Sequence, residues 1–377
     1  MSALEDRDDA APLVSVVIDN FNYARFLPAA IESALAQTYA RLEVIVVDDG
    51  STDNSREIIT RYGDRVVRVL KANGGHASAF NAGFRASRGS IVMFLDADDM
   101  LLPKAVEEVV RAWHPGTAKA QFVLAHIDAD GRPLGATVPY APAQMADGDI
   151  RESILTSGGY VGAPTSGNAF AREVLERLLP LPETQWHQAA DTSLEILAPF
   201  LGDVVSLKQT LGYYRVHDSN HGMISEGVDP RKLRVKIIID LQRENALREF
   251  GIQAGFALAP GWAALDPAHP KYRLASLRID PSHHPIMDDT RAGLMFQGVA
   301  ASWKNSRYNL RSRLYQLAWF PLVALLPQRI ALRLIRRDFN PRGPRSDAPS
   351  SRPAEASSVS QDGIQKPPRL SESRKVG

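Results

Sequence analysis

Aspartates dominate the chemistry this sequence offers. Asp48 and Asp49 end one apolar β-branched run, and Asp96, Asp98 and Asp99 end another. Carboxylates gathered at one place repel one another unless a cation or ligand donors offset the charge. Hard divalent ions such as Mg²⁺ and Mn²⁺ take oxygen ligands, typically one or two carboxylates plus phosphate oxygens. The expected chemistry is therefore a metal–phosphate site. Each Asp also has a plainer reading as a helix cap or turn residue after a strand. Asp-Ala-Asp recurs at Asp128–Asp130, but there it runs into Gly131, and a hairpin turn explains it. Lys71-Ala72-Asn73-Gly74-Gly75-His76 pairs two glycines with a helix start, a combination that lets backbone approach an anion.

The elements that must position these groups follow from periodicity. Apolar runs at Leu13–Ile18, Leu42–Val47, Val66–Leu70, Ile91–Leu95 and Gln121–Ile127 predict strands. Between them, Phe26–Gln37, the segment after Asp53, His76–Ser87 and Pro103–Trp113 predict helices. Alternating strands and helices imply βαβ units and a mostly parallel, Rossmann-type sheet flanked by helices. Ligands of such sheets bind beyond the carboxyl ends of the strands, just where the aspartates fall. Further on, Pro230–Phe250 predicts a long helix and Gly251–Thr290 has no clear pattern.

Composition bounds the rest. The chain has 377 residues, 44% apolar and 23% charged, enough to bury a core. It has no cysteine, which excludes disulfides, thiol catalysis and Cys-ligated zinc. No apolar run reaches the roughly 18 residues of a membrane span, and Met1–Pro12 is acidic rather than signal-like. A cytoplasmic setting is the expectation. From Thr290 to Arg337 there is no acid, yet nine Lys and Arg residues. Within it, Leu314–Leu326 is apolar and aromatic, and Pro321 is expected to kink or break its helix. Arginine-edged apolar helices suit an anionic membrane surface at the inner face of the cell membrane; the alternative is packing on the catalytic domain. His217 and His221 are four apart, but Asp218-Ser219-Asn220 favours a loop over a helical zinc pair.

Several motifs in register resemble the family 2 glycosyltransferases. They are Val16-Val17-Ile18-Asp19-Asn20-Phe21-Asn22, Val46-Val47-Asp48-Asp49-Gly50-Ser51-Thr52-Asp53, Asn73-Gly74-Gly75, Asn81-Ala82-Gly83 and Phe94-Leu95-Asp96-Ala97-Asp98-Asp99. Pro164–Asn168, Ala190-Asp191 and Tyr214–Asn220 extend the likeness, which runs from about Pro12 to His221. The resemblance implies a GT-A-like α/β fold with a helical C-terminal extension, and an inverting transferase using a nucleotide-diphosphate sugar, here a UDP-sugar. It implies nucleotide contacts from Asp19, Asn22, Asp48, Asp49, Asn73, Gly75, Asn81 and Asp96, with Asp48 favoured for the base. Asp98 and His217 would serve a Mg²⁺ or Mn²⁺, Asp191 would be the catalytic base, and Thr165, Ser166 and Gly167 would face the acceptor. Without the resemblance, Asp191 reads first as a helix N-cap. The sequence departs from the family where the first strand ends Asp19-Asn20 rather than Pro-Thr or Pro-Ala, and where Ala190 replaces a frequent Glu.

The expected organisation is a flexible terminus over 1–11, the transferase domain over 12–225, and a helical extension over 226–300. A basic amphipathic membrane-associating segment follows at 301–337, and a disordered Ser/Pro/Arg-rich tail at 338–377. Expected partners are the donor, a glycan or lipid-linked acceptor of surface polysaccharide assembly, and an anionic membrane, with no nucleic acid. Gly158–Asn168 and the helix from Pro230 are expected to shape the acceptor side. The alternatives are a nucleotide-sugar- or glycan-binding protein without catalysis, and a sugar-phosphate nucleotidyltransferase, whose Gly-rich loop after the first strand is missing here.

Overall fold

The computed structural model describes residues 11–217, 228–305 and 307–339. The N-terminal ten residues, Asp218–Asn220, His221 and the tail from 340 lie outside these. The apolar β-branched runs form strands β1 (Val14–Asn20), β2 (Leu42–Asp49), β3 (Val67–Lys71) and β4 (Ile91–Asp96). Short β5 (Met100–Leu101), long β6 (Thr117–Ile127), β7 (Pro133–Val138), β8 (Asn168–Ala171) and β9 (Asp203–Arg215) complete one sheet. Its order is β3-β2-β1-β4-β8-β6-β9-β5, with β7 against β6. The first four strands are parallel, as expected for βαβ units. β8 enters antiparallel to β4 and β6, and β9 runs parallel to β6, so the sheet as a whole is mixed. This is an α/β architecture, with helices on both faces of a mixed sheet and a helical C-terminal region.

Register decides what stands at the ligand edge. In the parallel ladders Asn20 pairs with Asp48 and Asp19 with Asp96, so the polar ends of β1, β2 and β4 finish in one row. Helices α1 (Leu27–Leu35), α2 (Ser55–Arg61) and α4 (Ala105–Ala112) flank this sheet with α3 (His76–Ala86). α1 and α4 bury Leu27, Ile31, Val106 and Val109 with one face's core, which includes Val16, Ile18 and Met93. α3 packs with the other face, where Phe80 stacks on Phe94 with centroids 4.0 Å apart. Gly83 sits over Val17 so closely that a Cβ there would lie 2.3 Å from Val17 Cγ1. α5 (Arg151–Ser157), α6 (Arg172–Leu178) and α7 (Ala190–Leu197) finish the layer.

The C-terminal region is α8 (Pro230–Ala254), α9 (Ala268–Ile279), α10 (Arg291–Lys304), α11 (Leu310–Leu325) and α12 (Gln328–Phe339). Asp229, Thr290 and Asn309 cap α8, α10 and α11 by accepting from backbone N–H groups. Leu233, Leu274, Leu294, Trp319, Phe320 and Ile335 bury together and join these helices. Of the kink or break expected at Pro321, the break does not occur, and α11 runs through the proline. Trp319, Phe320, Val323 and Ala324 are buried around the proline, and that packing holds the helix across it. The same residues show that half of the apolar segment is core. The other half is not: Leu314, Tyr315, Leu322 and Leu325 are exposed. Among the described residues, no helix is long and apolar enough to cross a membrane.

Candidate functional site

A cavity of about 860 Å³ opens at the carboxyl edge of the sheet. Asp19 from β1, Asp49 from β2, Asp96 and Asp98 from β4 and its following loop, and Asp191 from α7 all border it. Asn73, Gly75 and Thr165 border it too. Oxygens of Asp96, Asp98 and Asp99 lie within 4.8 Å of one another, as do ligand atoms of Asp19, His76 and Asp96.

This clustering has an electrostatic cost. Burial, then the charges of Asp19, Asp99 and Asp98, push the Asp96 carboxyl well above its ordinary range. Burial also raises Asp19, to about 6, against the lowering influence of His76, whose Nε2 is 3.5 Å away. Asp99 is likewise raised by burial and by Asp98. Asp19 Oδ1 is buried with no hydrogen-bond partner. Hard oxygen donors, mutual repulsion and an unsatisfied carboxylate oxygen together fit a divalent cation, so the cluster can hold a metal.

Supporting contacts fix the aspartates. Ser166 Oγ donates to Asp99 (2.6 Å), and the Arg215 N–H donates to the same carboxylate (2.9 Å). His217 Nε2 lies 2.9 Å from Asp98 Oδ2. Its ring packs on Phe26, centroids 4.8 Å apart. The Ala190 N–H donates to His76 Nδ1 (3.3 Å), which links the start of α7 to the β1 edge. Asp191 is not the N-cap of α7; Ala189 holds that position, and Asp191 sits in the first turn. There it accepts a hydrogen bond from Thr165 Oγ1 at 3.0 Å.

Beneath α7 lies a second polar group. Lys119 on β6 is wholly buried and donates to Tyr160 Oη (2.9 Å), and Tyr160 donates to the Glu195 carbonyl (2.9 Å). Burial lowers Lys119 to about 8, partly offset by Glu195 and Asp191. Burial and Asp191 raise Glu195 to about 7, against Lys119 and Arg243.

Several of the expected site residues do not border the cavity. Asp48 does not border the cavity: its side chain is 0% exposed and accepts from Ser51 N–H, Asn20 Nδ2 and Arg56 Nε. Asp49 borders it instead, accepting from the Gly74 and Gly75 N–H groups and from Lys71. Gly75 has φ +84°, and a Cβ would meet the His187 ring at 2.6 Å, so the loop needs glycine there. Asn81 lies outside the cavity lining, and its amide both donates to and accepts from the Leu181 backbone. Asn22, at φ 61°, ties its loop to Thr52 and Ser51 rather than bordering the cavity. Of the acceptor trio, Thr165 reaches the cavity, Ser166 serves Asp99, and Gly167 packs against Ala163 and Phe122. His217 lies behind Asp98 and outside the cavity lining. His221 is outside the described residues, so the zinc pairing with it has no structural account. Asp128–Gly131 is the β6–β7 turn, as expected.

His76, Tyr23, Lys119 and the individual cations of α8 escaped the sequence reading, which expects the helix from Pro230 on the acceptor side without naming its residues. Only His76 carried a signal, opening a helix straight after paired glycines.

Residues 15–179 match the family described as Glycosyl transferase family 2. An uncharacterized glycosyltransferase of Nostoc sp. is 40% identical over 218 residues, 56% of this chain and 66% of that protein. One of Rickettsia prowazekii is 42% identical over 100 residues, 26% of this chain and 31% of its own length. The chain thus spans just under two thirds of the first of these relatives and about a third of the second. Among solved structures, S. aureus TarS 1-349 in complex with UDP-GlcNAc is 15% identical, with a TM-score of 0.47 over 83% of this chain and 90% of that one. The matched segment carries the edge of β1, β2 and β4 on which the aspartates converge, and by that match and the Nostoc identity the chain belongs to glycosyl transferase family 2.

Proposed function

We propose that the protein is an inverting glycosyltransferase that moves a sugar from a nucleotide-diphosphate donor, a UDP-sugar, to a hydroxyl of a glycan or lipid-linked acceptor in surface polysaccharide assembly. One observation carries the reading: Asp19, Asp96 and Asp98 from the sheet edge and Asp191 from a separate helix border the same cavity. The nucleotide lodges between the Asp19–Tyr23 loop, Asp49 and the Asn73–Gly75 turn. Asp96, Asp98 and Asp99 would hold Mg²⁺ or Mn²⁺, which when bound offsets charge on the departing diphosphate. His217 orients Asp98 for that task. Asp191 takes the proton of the acceptor hydroxyl as its oxygen bonds to the anomeric carbon and the bond to the diphosphate breaks. Thr165 Oγ1 holds one Asp191 oxygen and leaves the other for that proton.

The test is Asp191→Asn in the full chain, with a panel of nucleotide sugars and with Mn²⁺, Mg²⁺ or neither. Donor hydrolysis and transfer should fall at least about a hundredfold while UDP binding stays within about twofold. Turnover equal to wild type would remove Asp191 from the mechanism. Donor binding with no turnover under any condition would favour a binding protein without catalysis.

A further inference from the structure

The aspartate rim is one wall of the cavity; α8 supplies another of opposite sign. Lys232, Val235, Lys236, Ile239, Asp240 and Arg243 line it at steps of three and four, which places them along one stripe of that helix. The acids near this wall are already engaged. Asp240 lies 3.0 Å from His269 Nδ1 and 3.6 Å from Arg243 Nη1, and Asp266 accepts from Arg307 Nη2 at 2.9 Å.

Two of the cations retain unmet capacity. Lys236 Nζ lies 5.9 Å from the centroid of the Tyr272 ring, with no hydrogen bond or ion pair among the described residues. Arg243 Nε is buried with no acceptor. A lysine without an ion pair among the described residues and a guanidinium with an unmet N–H, both in a half-buried wall, carry a desolvation cost that an anionic ligand relieves. Burial disfavours the charged form of Lys236, the direction expected of a site waiting for an anion. The two ends of the cavity therefore want different partners. The aspartate end suits a cation with a diphosphate, and the α8 end suits a bare acid group. The charge of Arg243 reaches Glu195, one helical turn beyond Asp191, which ties this wall to the side where the hydroxyl would be deprotonated.

We infer that the α8 wall is an anion subsite for the acceptor, in which Lys236 and Arg243 take a carboxylate or phosphate carried by the acceptor sugar. The inference rests on the transferase reading of the cavity and narrows its substrate class to acidic glycans or glycosyl phosphates.

The experiment titrates the full chain with glucuronate, glucose 1-phosphate and glucose as neutral control, by calorimetry. It uses wild type, Lys236→Met and the charge-retaining Lys236→Arg. UDP with Mn²⁺ is titrated in parallel. Wild type should bind at least one of the two anions and not glucose. Lys236→Met should weaken that binding at least about tenfold, the loss of one charge-assisted hydrogen bond. Lys236→Arg should stay within about threefold, and UDP binding should be unchanged in both. Preference for glucuronate points to a carboxylate-bearing acceptor, and preference for glucose 1-phosphate to a glycosyl phosphate. Three results would overturn the subsite: no anion binding, binding indifferent to Lys236→Met, or a UDP affinity that falls together with the anion affinity. That last result would assign these cations to the donor. Loss of UDP binding in wild type with the Lys236 dependence intact would instead sink the transferase reading and leave the subsite standing.

Discussion

Replacing Lys119 with methionine should make this protein more stable at neutral pH. Lys119 is wholly buried on β6, and burial lowers it from 10.5 to about 8. A folded-state value below the unfolded one means that the folded chain binds fewer protons between about pH 8 and 10.5. Stability therefore rises with pH across that window, and below pH 8 the full penalty is present. At about 1.4 kcal/mol per unit the penalty is on the order of 3 kcal/mol. Methionine fills nearly the same volume without a charge. It forfeits the hydrogen bond to Tyr160, about 1 kcal/mol, so the net gain at pH 7 is roughly 2 kcal/mol. Tyr160 keeps its bond to the Glu195 carbonyl. Urea unfolding of both proteins at pH 7, 8, 9 and 10 measures the difference. The wild type should close the gap on Lys119→Met as pH rises. A constant difference across that range, or a variant less stable at pH 7, would refute the reasoning. A gain in stability accompanied by a loss of transfer would mean that Lys119 is kept for its field on Asp191 and Glu195 rather than for the fold.

Two other outcomes are expected. Gly298→Ala should destabilise the helical region by about 1–3 kcal/mol, because its Cβ would lie 2.1–2.4 Å from the Phe320 ring; an unchanged thermal midpoint would count against that packing. The exposed leucines of α11 and the arginines of α12 should bring the chain to phosphatidylglycerol vesicles in a sedimentation assay. Leu314→Glu with Leu325→Glu should lower the bound fraction at least about tenfold, and equal sedimentation of variant and wild type would discard the membrane role.

The first half of the sheet is readable from sequence because its rules are local. A β-branched run followed by an amphipathic stretch gives β1–α1–β2, and parallel crossovers then bring the aspartates to one edge. What escaped depends on distant pairing. Nothing in Asn168–Ala171 says that it will run antiparallel between β4 and β6. Asp48 and Asp49 are adjacent and chemically alike, and strand alternation sends them to opposite faces. Which one meets the cavity depends on Arg56, Asn20 and Ser51 arriving at Asp48. Asp191 was ambiguous between cap and site because helix ends are uncertain by a residue or two. The helix from Pro230 is expected on the acceptor side, but which of its residues face the cavity is not legible, for another reason. Its cations look like an ordinary solvated helix face until α9 and the 185–192 segment close around them.

The placement of β9 limits how this molecule can be cut. The family segment ends at residue 179, yet β9 covers one whole side of β6 from Thr117 to Ile127 and delivers Arg215 to Asp99. A fragment stopped near residue 179 would leave that long apolar strand with a bare row of amides and carbonyls, a template for joining the same strand in other molecules. Expression boundaries chosen from the homologous segment alone should therefore give insoluble material, and any shortened version must keep the chain at least through Arg215.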